Sequence, residues 1–239
     1  MRRFFAPPTN FTNSEVVLDE NETRHLRDVL RIREGETVNV FDGAANEFEC
    51  RVESISKRES KLSIIQKVAA TALESNLDLT VCASILKGEK TDLAVQKAVE
   101  LGVYRFVPMT SVRCDVRPKG AEKRVERWRK IVLEASKQCG RARLMMVDEI
   151  QTFDSLMHRS NDSKVILFTE QDGGKFVPES GVTALTAFFG PEGGWDDAEL
   201  DMARNAGAHL VTFNGRIMKA DTAVIAISAI LQHHFGDLN

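Results

Sequence analysis

The residues best suited to chemistry lie in two short segments near the end of the chain. The first is the stretch Gly190-Pro191-Glu192-Gly193-Gly194, and the second covers residues 213–223. A tight loop of the first kind exposes backbone N–H and C=O groups, and glycine lets a ligand approach them because no Cβ stands in the way. The segments therefore suggest a ligand site, and a ligand-free strand-to-helix turn is the alternative.

The elements around these segments can be predicted from their apolar patterns. Residues 182–189 form an apolar run that predicts a buried strand, and Asp196 and Asp197 open an amphipathic helix behind the glycines. A short strand over residues 208–213 precedes the second segment, and a helix over about residues 222–235 follows it. Either Asp221 or Thr222 suits the N-cap of that helix.

Two domains are predicted, over residues 1–72 and 73–239. The first is a small β domain with strands at residues 36–41, 47–55 and 61–68 and a helix from an Asn21 cap to about Leu30. On that helix we expect Arg24, Arg27 and Arg31 to share one face. We expect His25, Leu26, Val29 and Leu30 to form the packed side of the helix.

The second domain alternates strands and helices, which indicates a parallel sheet flanked by helices. Strands are predicted at residues 77–86, 104–109 and 164–169, and helices at residues 90–101 and 121–138. Only one glycine, Gly88, closely follows the first of these strands. A dinucleotide fingerprint or a P-loop would need more, so both are excluded.

Composition narrows the class of protein. The chain has 239 residues, 43% of them hydrophobic, and no apolar run approaches the length of a membrane span, so we expect a soluble protein with no membrane partner. The N-terminus lacks a signal-like apolar run. The cysteines, Cys50, Cys82, Cys114 and Cys139, are widely spaced, which predicts reduced thiols in the cytoplasm and no metal site.

Charge is distributed unevenly although the net charge is only −3. Residues 113–143 hold eleven Lys and Arg against four Asp and Glu, whereas residues 144–239 hold six against fourteen. A local basic surface of this kind is sufficient for phosphate contacts. A solvated helix face is the alternative interpretation, and Trp128 within it is better suited to the core than to base stacking.

Four blocks of the chain, in order, resemble the RsmE-type 16S rRNA uridine-N3 methyltransferases of the SPOUT superfamily. The C-terminal pattern of that family is similar to residues 190–194 followed by Glu199, and to residues 213–223. In the second segment Met218-Lys219 stands for Leu-Arg, and Asp221 stands for Glu. The other matching blocks are residues 24–31 with Gly35 and residues 41–43, residues 87–90 with 96–103, and residues 127–131 with 134–135 and 138–141.

The resemblance implies a fold and a reaction. The fold would be α/β, with an N-terminal PUA-like small β-barrel and a C-terminal SPOUT domain whose parallel sheet contains a deep trefoil knot. The reaction would be methylation of N3 of a uridine in 16S rRNA of the small ribosomal subunit, with S-adenosyl-L-methionine as cofactor. The partners implied are the rRNA and a second copy of the chain in a homodimer.

The resemblance also assigns the cofactor residues, in three loops and at the start of the last helix. Backbone groups of these loops would hold the cofactor, and Glu170 has the alternative of being an exposed loop acid. The candidates are Thr169, Glu170, Phe189, Gly190, Pro191, Glu192, Gly193, Gly194, Phe213, Asn214, Gly215, Ile217, Met218, Thr222 and Ala223.

Uracil N3 carries a proton, so its methylation requires a base or cations that stabilise the developing anion. Arg216 and Lys219 suit the cationic role, and Asp221 suits the role of base or of a group that orients Arg216. Candidates for RNA contacts are Arg2, Arg3, Arg24, Arg27, Arg31, Arg33, Arg127, Lys130 and Arg141.

Two other interpretations stay open at this stage. One keeps the fold and changes the substrate to another rRNA site or to tRNA. The other is an RNA-binding assembly factor without catalysis, which the changes at Met218, Lys219 and Asp221 favour because Arg and Lys are not equivalent in planar contacts.

Overall fold

The computed structural model describes residues 2–116, 120–158, 164–213 and 215–238. The chain forms two compact units. The first comprises Met1–Glu74 together with Leu133–Leu144, and the second comprises Ser75–Val132 together with Met145–Asn239. The predicted domains differ from these units in one respect. The prediction assigned residues 133–144 to the second domain, whereas in the structure they belong to the first unit.

The first unit contains a mixed sheet in the order β1-β3-β4-β5-β2, in which β1 pairs parallel with β3 and the other pairs are antiparallel. The predicted β-rich character is confirmed. Alternate residues of the strands are buried in a core that includes Val38, Val40 and Leu62. The strands are β1 Arg3–Phe5, β2 Glu15–Leu18, β3 Thr37–Phe41, β4 Glu47–Ile55 and β5 Ser60–Val68, with a 3-10 turn at Pro8–Asn10.

The helix of the first unit differs from its prediction. Helix α1 covers Glu20–Arg24, and its cap is Asp19, not Asn21, because the Asp19 carboxylate accepts a hydrogen bond from the N–H of Glu22 at 2.9 Å. The chain then widens into a π-helical turn at His25–Val29. This turn changes the helical repeat, so Val29 is 65% exposed and not packed.

The same turn moves Arg31 away from the helix. The helical segment ends at Leu30, and Arg31 has a positive φ of 52°. The expectation that Arg24, Arg27 and Arg31 share one helix face is therefore wrong, since a spacing of 3.6 residues no longer relates them.

The second unit is the predicted α/β structure. Its strands are parallel in the order β12-β10-β11-β6-β7-β8, with β9 paired to β7. The strands are β6 Asp78–Ser84, β7 Arg105–Thr110, β8 Met146–Val147, β9 Gln151–Thr152, β10 Lys164–Phe168, β11 Ala184–Phe189 and β12 His209–Val211. The helices are α2 Lys90–Glu100, α4 Phe153–Met157, α5 Asp197–Asn205 and α6 Ala220–Phe235, together with the first part of α3 Ala121–Cys139, whose residues 133–139 belong to the first unit. The trefoil knot stays a prediction.

The start of α6 also differs from its prediction. Lys219 occupies the N-cap position with an extended backbone and no side-chain cap, and the helix begins at Ala220. Asp221 and Thr222 are therefore inside the first turn, where a carboxylate is favoured by the helix dipole. Within the described part of the chain, no helix is long and apolar enough to cross a membrane.

Candidate functional site

Three neighbouring strands of the second unit end at the same level. In the register of the sheet, Phe168 at the end of β10 is opposite Phe189 of β11 and Val211 of β12. The loops that leave these strands surround a cavity of about 600 Å³, which we call the strand-end cavity. The carboxyl ends of parallel strands are where α/β sheets usually bind ligands.

Most of the residues predicted to bind a cofactor line this cavity. Its lining also includes both predicted catalytic cations, Arg216 and Lys219, but neither Asp221 nor Thr222. Asn214 is outside the described residues. The predicted cofactor residues that line it are Thr169, Glu170, Phe189, Gly190, Pro191, Glu192, Gly193, Gly194, Phe213, Gly215, Ile217, Met218 and Ala223.

Aromatic rings form an apolar surface on one side of the cavity. The ring of Phe168 stacks on Phe189, with centroids 5.3 Å apart, and on Phe213 at 5.8 Å. Each ring comes from a different strand end or the loop behind it, so the stack ties the three ends together. Such a surface suits a planar heterocycle.

The three glycines after β11 are required for different physical reasons. A Cβ on Gly190 would be 3.1 Å from the indole of Trp195, and one on Gly193 would be 3.1 Å from Cβ of Arg113. Only at Gly194, which has a φ of +72°, is the space around the Cβ position free of protein atoms within 4 Å. The interpretation that these glycines make room for a ligand thus fits Gly194, whereas the other two make room for the protein itself.

Glu192 anchors the glycine loop to the segment before α2. Its carboxylate accepts hydrogen bonds from Lys90 Nζ at 2.9 Å and from the backbone N–H of Lys87 at 3.3 Å. Partial burial acts to raise the pKa of Glu192, but the hydrogen bond from Lys90 and the backbone N–H groups keep that pKa below its ordinary value. The carboxylate is therefore ionised at neutral pH and holds the loop in place.

The loop after β10 is fixed to the end of β12. The N–H of Gly173 donates to Oγ1 of Thr212 at 3.0 Å, and the N–H of Thr212 donates to the carbonyl of Gly174 at 3.0 Å. A Cβ on Gly173 would be 2.5 Å from the nitrogen of Thr212, so only glycine fits there. This loop brings Gln171 and Asp172 into the cavity lining.

Sequence reasoning missed several residues of the lining. The pair Gly173-Gly174, which follows a predicted strand as the later glycines do, was a usable signal for the loop after β10. The missed residues are Arg113, Phe168, Gln171, Asp172, Trp195, Asp197, Leu200, Val211, Thr212, Ala220 and Ile227.

Glu199 connects helix α5 to the segment after β7. Its carboxylate accepts a hydrogen bond from the N–H of Asp196 at 3.1 Å, which completes a capping box, and another from the N–H of Val112 at 2.9 Å. The side chain is 4% exposed. The acidic position behind the glycines thus has a structural role that satisfies two backbone donors.

The cationic side chains are at the exposed rim of the cavity. Arg216 and Lys219 are both exposed. Asp221 is partly buried, and its Oδ1 atom has no hydrogen-bond partner among the described residues. Among the described residues, no hydrogen bond joins Arg216 to Asp221. The geometry of these residues therefore does not support the idea that Asp221 orients Arg216.

Two of the arginines predicted to contact RNA are buried in the first unit. The Arg3 guanidinium donates to the Glu47 carboxylate at 3.1–3.2 Å and to the carbonyls of Ser136 and Arg141 at 2.8 and 2.7 Å. Its side chain is 1% exposed and that of Arg141, which pairs with Glu74 at 2.8 Å, is 5% exposed. The expectation of phosphate contacts by these two residues is replaced by a structural role.

The other predicted RNA contacts differ in availability. Arg24, Arg31, Arg33 and Lys130 are exposed. Arg2 pairs with Glu36 at 2.5 Å and Arg27 with Asp28 at 2.7 Å. Arg127 is exposed but pairs with Asp92.

Comparisons with known proteins identify the family. Residues 73–232 match a family described as RNA methyltransferase domain, and residues 18–65 match one described as RNA methyltransferase PUA domain. The chain is 31% identical to ribosomal RNA small subunit methyltransferase E of Aquifex aeolicus, over 91% of this chain and 94% of that protein. The Bacillus subtilis protein of the same name is 27% identical over 96% of both.

A solved structure agrees over the whole length. The crystal structure of a ribosomal RNA small subunit methyltransferase E from Neisseria gonorrhoeae, bound to S-adenosyl methionine, is 33% identical and has a TM-score of 0.91, with complete coverage of both chains. The match to the PUA domain confirms the PUA-like prediction for the first unit. The chain belongs to the family of ribosomal RNA small subunit methyltransferase E.

Proposed function

We propose that the chain transfers a methyl group from S-adenosyl-L-methionine to N3 of a uridine in 16S rRNA of the small ribosomal subunit. The observation that carries the proposal is the strand-end cavity, where three loops with their glycines and aromatic rings meet beside two exposed cations. The similarity over the full length to a protein bound to S-adenosyl methionine supports the same cofactor here.

The cavity fits the cofactor in size and in character. About 600 Å³ is within the usual range of small-molecule sites. The apolar surface to which Phe168, Phe189 and Phe213 contribute suits the adenine, and the open space at Gly194 exposes backbone groups to polar parts of the ligand. When bound, the cofactor supplies a methyl group already activated on a sulfonium.

The residues at the rim would control the proton of the target base. N3 of uracil becomes nucleophilic only as its proton leaves, and negative charge then spreads to the ring oxygens. Arg216 and Lys219 would stabilise this charge, since exposed cations at the rim can donate to those oxygens. Asp221 stays the proposed proton acceptor: it does not line the cavity, but its Oδ1 atom has no partner among the described residues.

RNA contacts are proposed for the exposed cations that the structure leaves accessible. In the first unit these are Arg24, Arg31 and Arg33, and in the second unit Lys130. The paired cations Arg2, Arg27 and Arg127 would first have to exchange a carboxylate for a phosphate. Such contacts position RNA and make binding sensitive to salt.

A homodimer is proposed from the outer face of α6. Val224, Ile227, Ser228 and Leu231 are buried on one side of this helix. On the other side Ile225, Ala226, Ala229 and Ile230 are only partly buried, at the spacing of one helix face. A second copy of the chain would cover this apolar face. We expect the enzyme to act in the cytoplasm, where its rRNA substrate is found.

The test mixes the protein with methyl-labelled S-adenosylmethionine and small ribosomal subunits that lack their native methylations. Nucleoside analysis then maps the label, and we expect it on uridine N3 of 16S rRNA. Label on another nucleotide or on tRNA would favour a different substrate. Intact cofactor binding without any label would favour the non-catalytic assembly factor.

A further inference from the structure

We propose that Trp195 is a positioning residue for the methyl donor, because its indole sets the separation between the loop after β10 and the glycine loop after β11. The inference rests on the proposed function, since it assumes that S-adenosylmethionine occupies the strand-end cavity. Trp195 directly follows the glycine loop in sequence and lines that cavity.

The indole N–H forms a direct hydrogen bond between the loop after β11 and the end of β10. It donates to the carbonyl of Phe168 at 2.8 Å, and Trp195 is only 7% exposed. Phe168 is the last residue of β10, and Thr169 behind it lines the cavity. The bond therefore fixes the point from which the loop after β10 leaves the sheet.

The flat side of the same ring determines the path of the glycine loop. The Cβ position of Gly190 is 3.1 Å from Cε2 and Nε1 of the indole, so the backbone passes close over the ring. On another side, the ring of Phe153 packs against the indole with centroids 4.9 Å apart. Trp195 is thus held by packing, and the positions of both loops follow from it.

The chain contains a matched control for this residue. Its only other tryptophan, Trp128, is also buried, at 2% exposure, and its N–H donates to Oδ1 of Asp92, also at 2.8 Å. Trp128 is on α3 and does not line the cavity. Replacement of each tryptophan by phenylalanine removes one indole hydrogen bond of 2.8 Å, to the Phe168 carbonyl or to the Asp92 carboxylate, but only one replacement is beside the cavity.

The experiment compares Trp195→Phe with Trp128→Phe. Both variants should lose thermal stability, because each loses the hydrogen bond that a buried indole N–H donates. Calorimetric titration with S-adenosylmethionine should give a dissociation constant raised about tenfold for Trp195→Phe and unchanged for Trp128→Phe. In steady-state kinetics, the KM for the cofactor should rise in the first variant more than kcat falls.

Fluorescence adds a readout that does not depend on activity. In Trp128→Phe the remaining indole is Trp195, so titration with the cofactor should change its emission. In Trp195→Phe the remaining Trp128 should not respond. Equal cofactor affinities in the two phenylalanine variants, or no emission change in Trp128→Phe, would overturn the proposal.

A second substitution tests the contact between the ring and the loop. Gly190→Ala places a methyl group against the indole, so it should weaken cofactor binding in the natural protein and weaken it less in a Trp195→Phe background, where the smaller ring can move aside. Additive effects of the two changes would contradict the inference. If the unsubstituted protein fails to bind S-adenosylmethionine, the proposed function fails instead.

Discussion

The ammonium group of Lys90 donates a hydrogen bond to the carboxylate of Glu192 across 2.9 Å, although the two residues are 102 positions apart in sequence. The pair connects the start of α2 to the glycine loop. It also gives a role to residues 87–90, which the sequence analysis had matched to a block of the resembled family without assigning a function.

This pair predicts that the stability of the folded chain depends on pH. The pKa of Glu192 is lowered from 4.5 in the folded chain, so the contribution of its ionised form to stability is complete above that value and is lost as the pH falls through the lowered pKa. Glu192→Gln removes the ionisable group. The difference in Tm between the natural protein and Glu192→Gln should therefore shrink as the pH is lowered from 6 to about 3. A constant difference over this range would contradict the pairing.

Arg216 should be needed for the chemical step and not for cofactor binding. Arg216→Ala is expected to lower kcat by about 10²- to 10³-fold, because a group that stabilises developing negative charge is lost. The dissociation constant for S-adenosylmethionine should change little. Arg204→Ala is the matched control, since Arg204 is an exposed arginine on α5 that pairs with Asp201 and lies outside the cavity lining. Equal losses in both variants would remove Arg216 from the mechanism.

Lys219→Arg separates an active enzyme from a non-catalytic factor. If Lys219 acts as a point charge at the exposed rim, arginine keeps that charge and turnover should change only slightly. A gain in turnover of tenfold or more would correspond to about 1.4 kcal/mol of activation free energy. That result would show that the natural residue impairs the site.

The structural role of the buried Arg3 can be tested by measuring the stability of a variant that lacks it. Arg3→Met leaves the Glu47 carboxylate buried without its cation, so the free energy of unfolding should fall by about 3–5 kcal/mol in urea titration. Arg24→Met, at an exposed position, should change it by no more than about 0.5 kcal/mol and should weaken RNA binding instead. An Arg3→Met protein of full stability with weakened RNA binding would restore the sequence-based interpretation.

The proposed dimer predicts that glutamate at two different isoleucine positions affects the oligomeric state differently. Ile225→Glu places a charge on the outer face of α6 and should yield monomers in sedimentation velocity experiments. Ile65→Glu alters an isoleucine that is 47% exposed on β5 of the first unit, and it should leave the dimer intact. A monomeric natural protein at micromolar concentration would refute the dimer.

The sequence allowed long regular elements to be predicted well. The boundaries of β4 agree with the prediction to the residue, because Phe48, Cys50 and Val52 alternate with polar residues. The parallel order of the second unit followed from the alternation of strands and helices. The short strands β8 and β9 were missed because two residues carry no periodic signal.

Errors arose where a distant partner or a local distortion decides the outcome. Arg3 resembles an exposed basic residue near a chain end, and its partner Glu47 is 44 residues away, so no local pattern reveals the burial. The π-helical turn after α1 breaks the repeat on which the prediction for Val29 depended. The cavity was foreseen at its glycine loops, but Arg113 and Trp195 enter it through tertiary contacts with those glycines.

The return of residues 133–144 to the first unit has a consequence for synthesis of the chain. Arg3 requires the carbonyls of Ser136 and Arg141, and the N–H of Leu144 pairs with the carbonyl of Gly43. At translation speeds of roughly 5–20 residues per second, several seconds pass between the synthesis of Glu74 and that of Leu144. During this interval the nascent N-terminal unit can form the Arg3–Glu47 pair but lacks the two carbonyl acceptors of Arg3 in residues 133–144, so its completion must wait for a segment encoded in the middle of the gene.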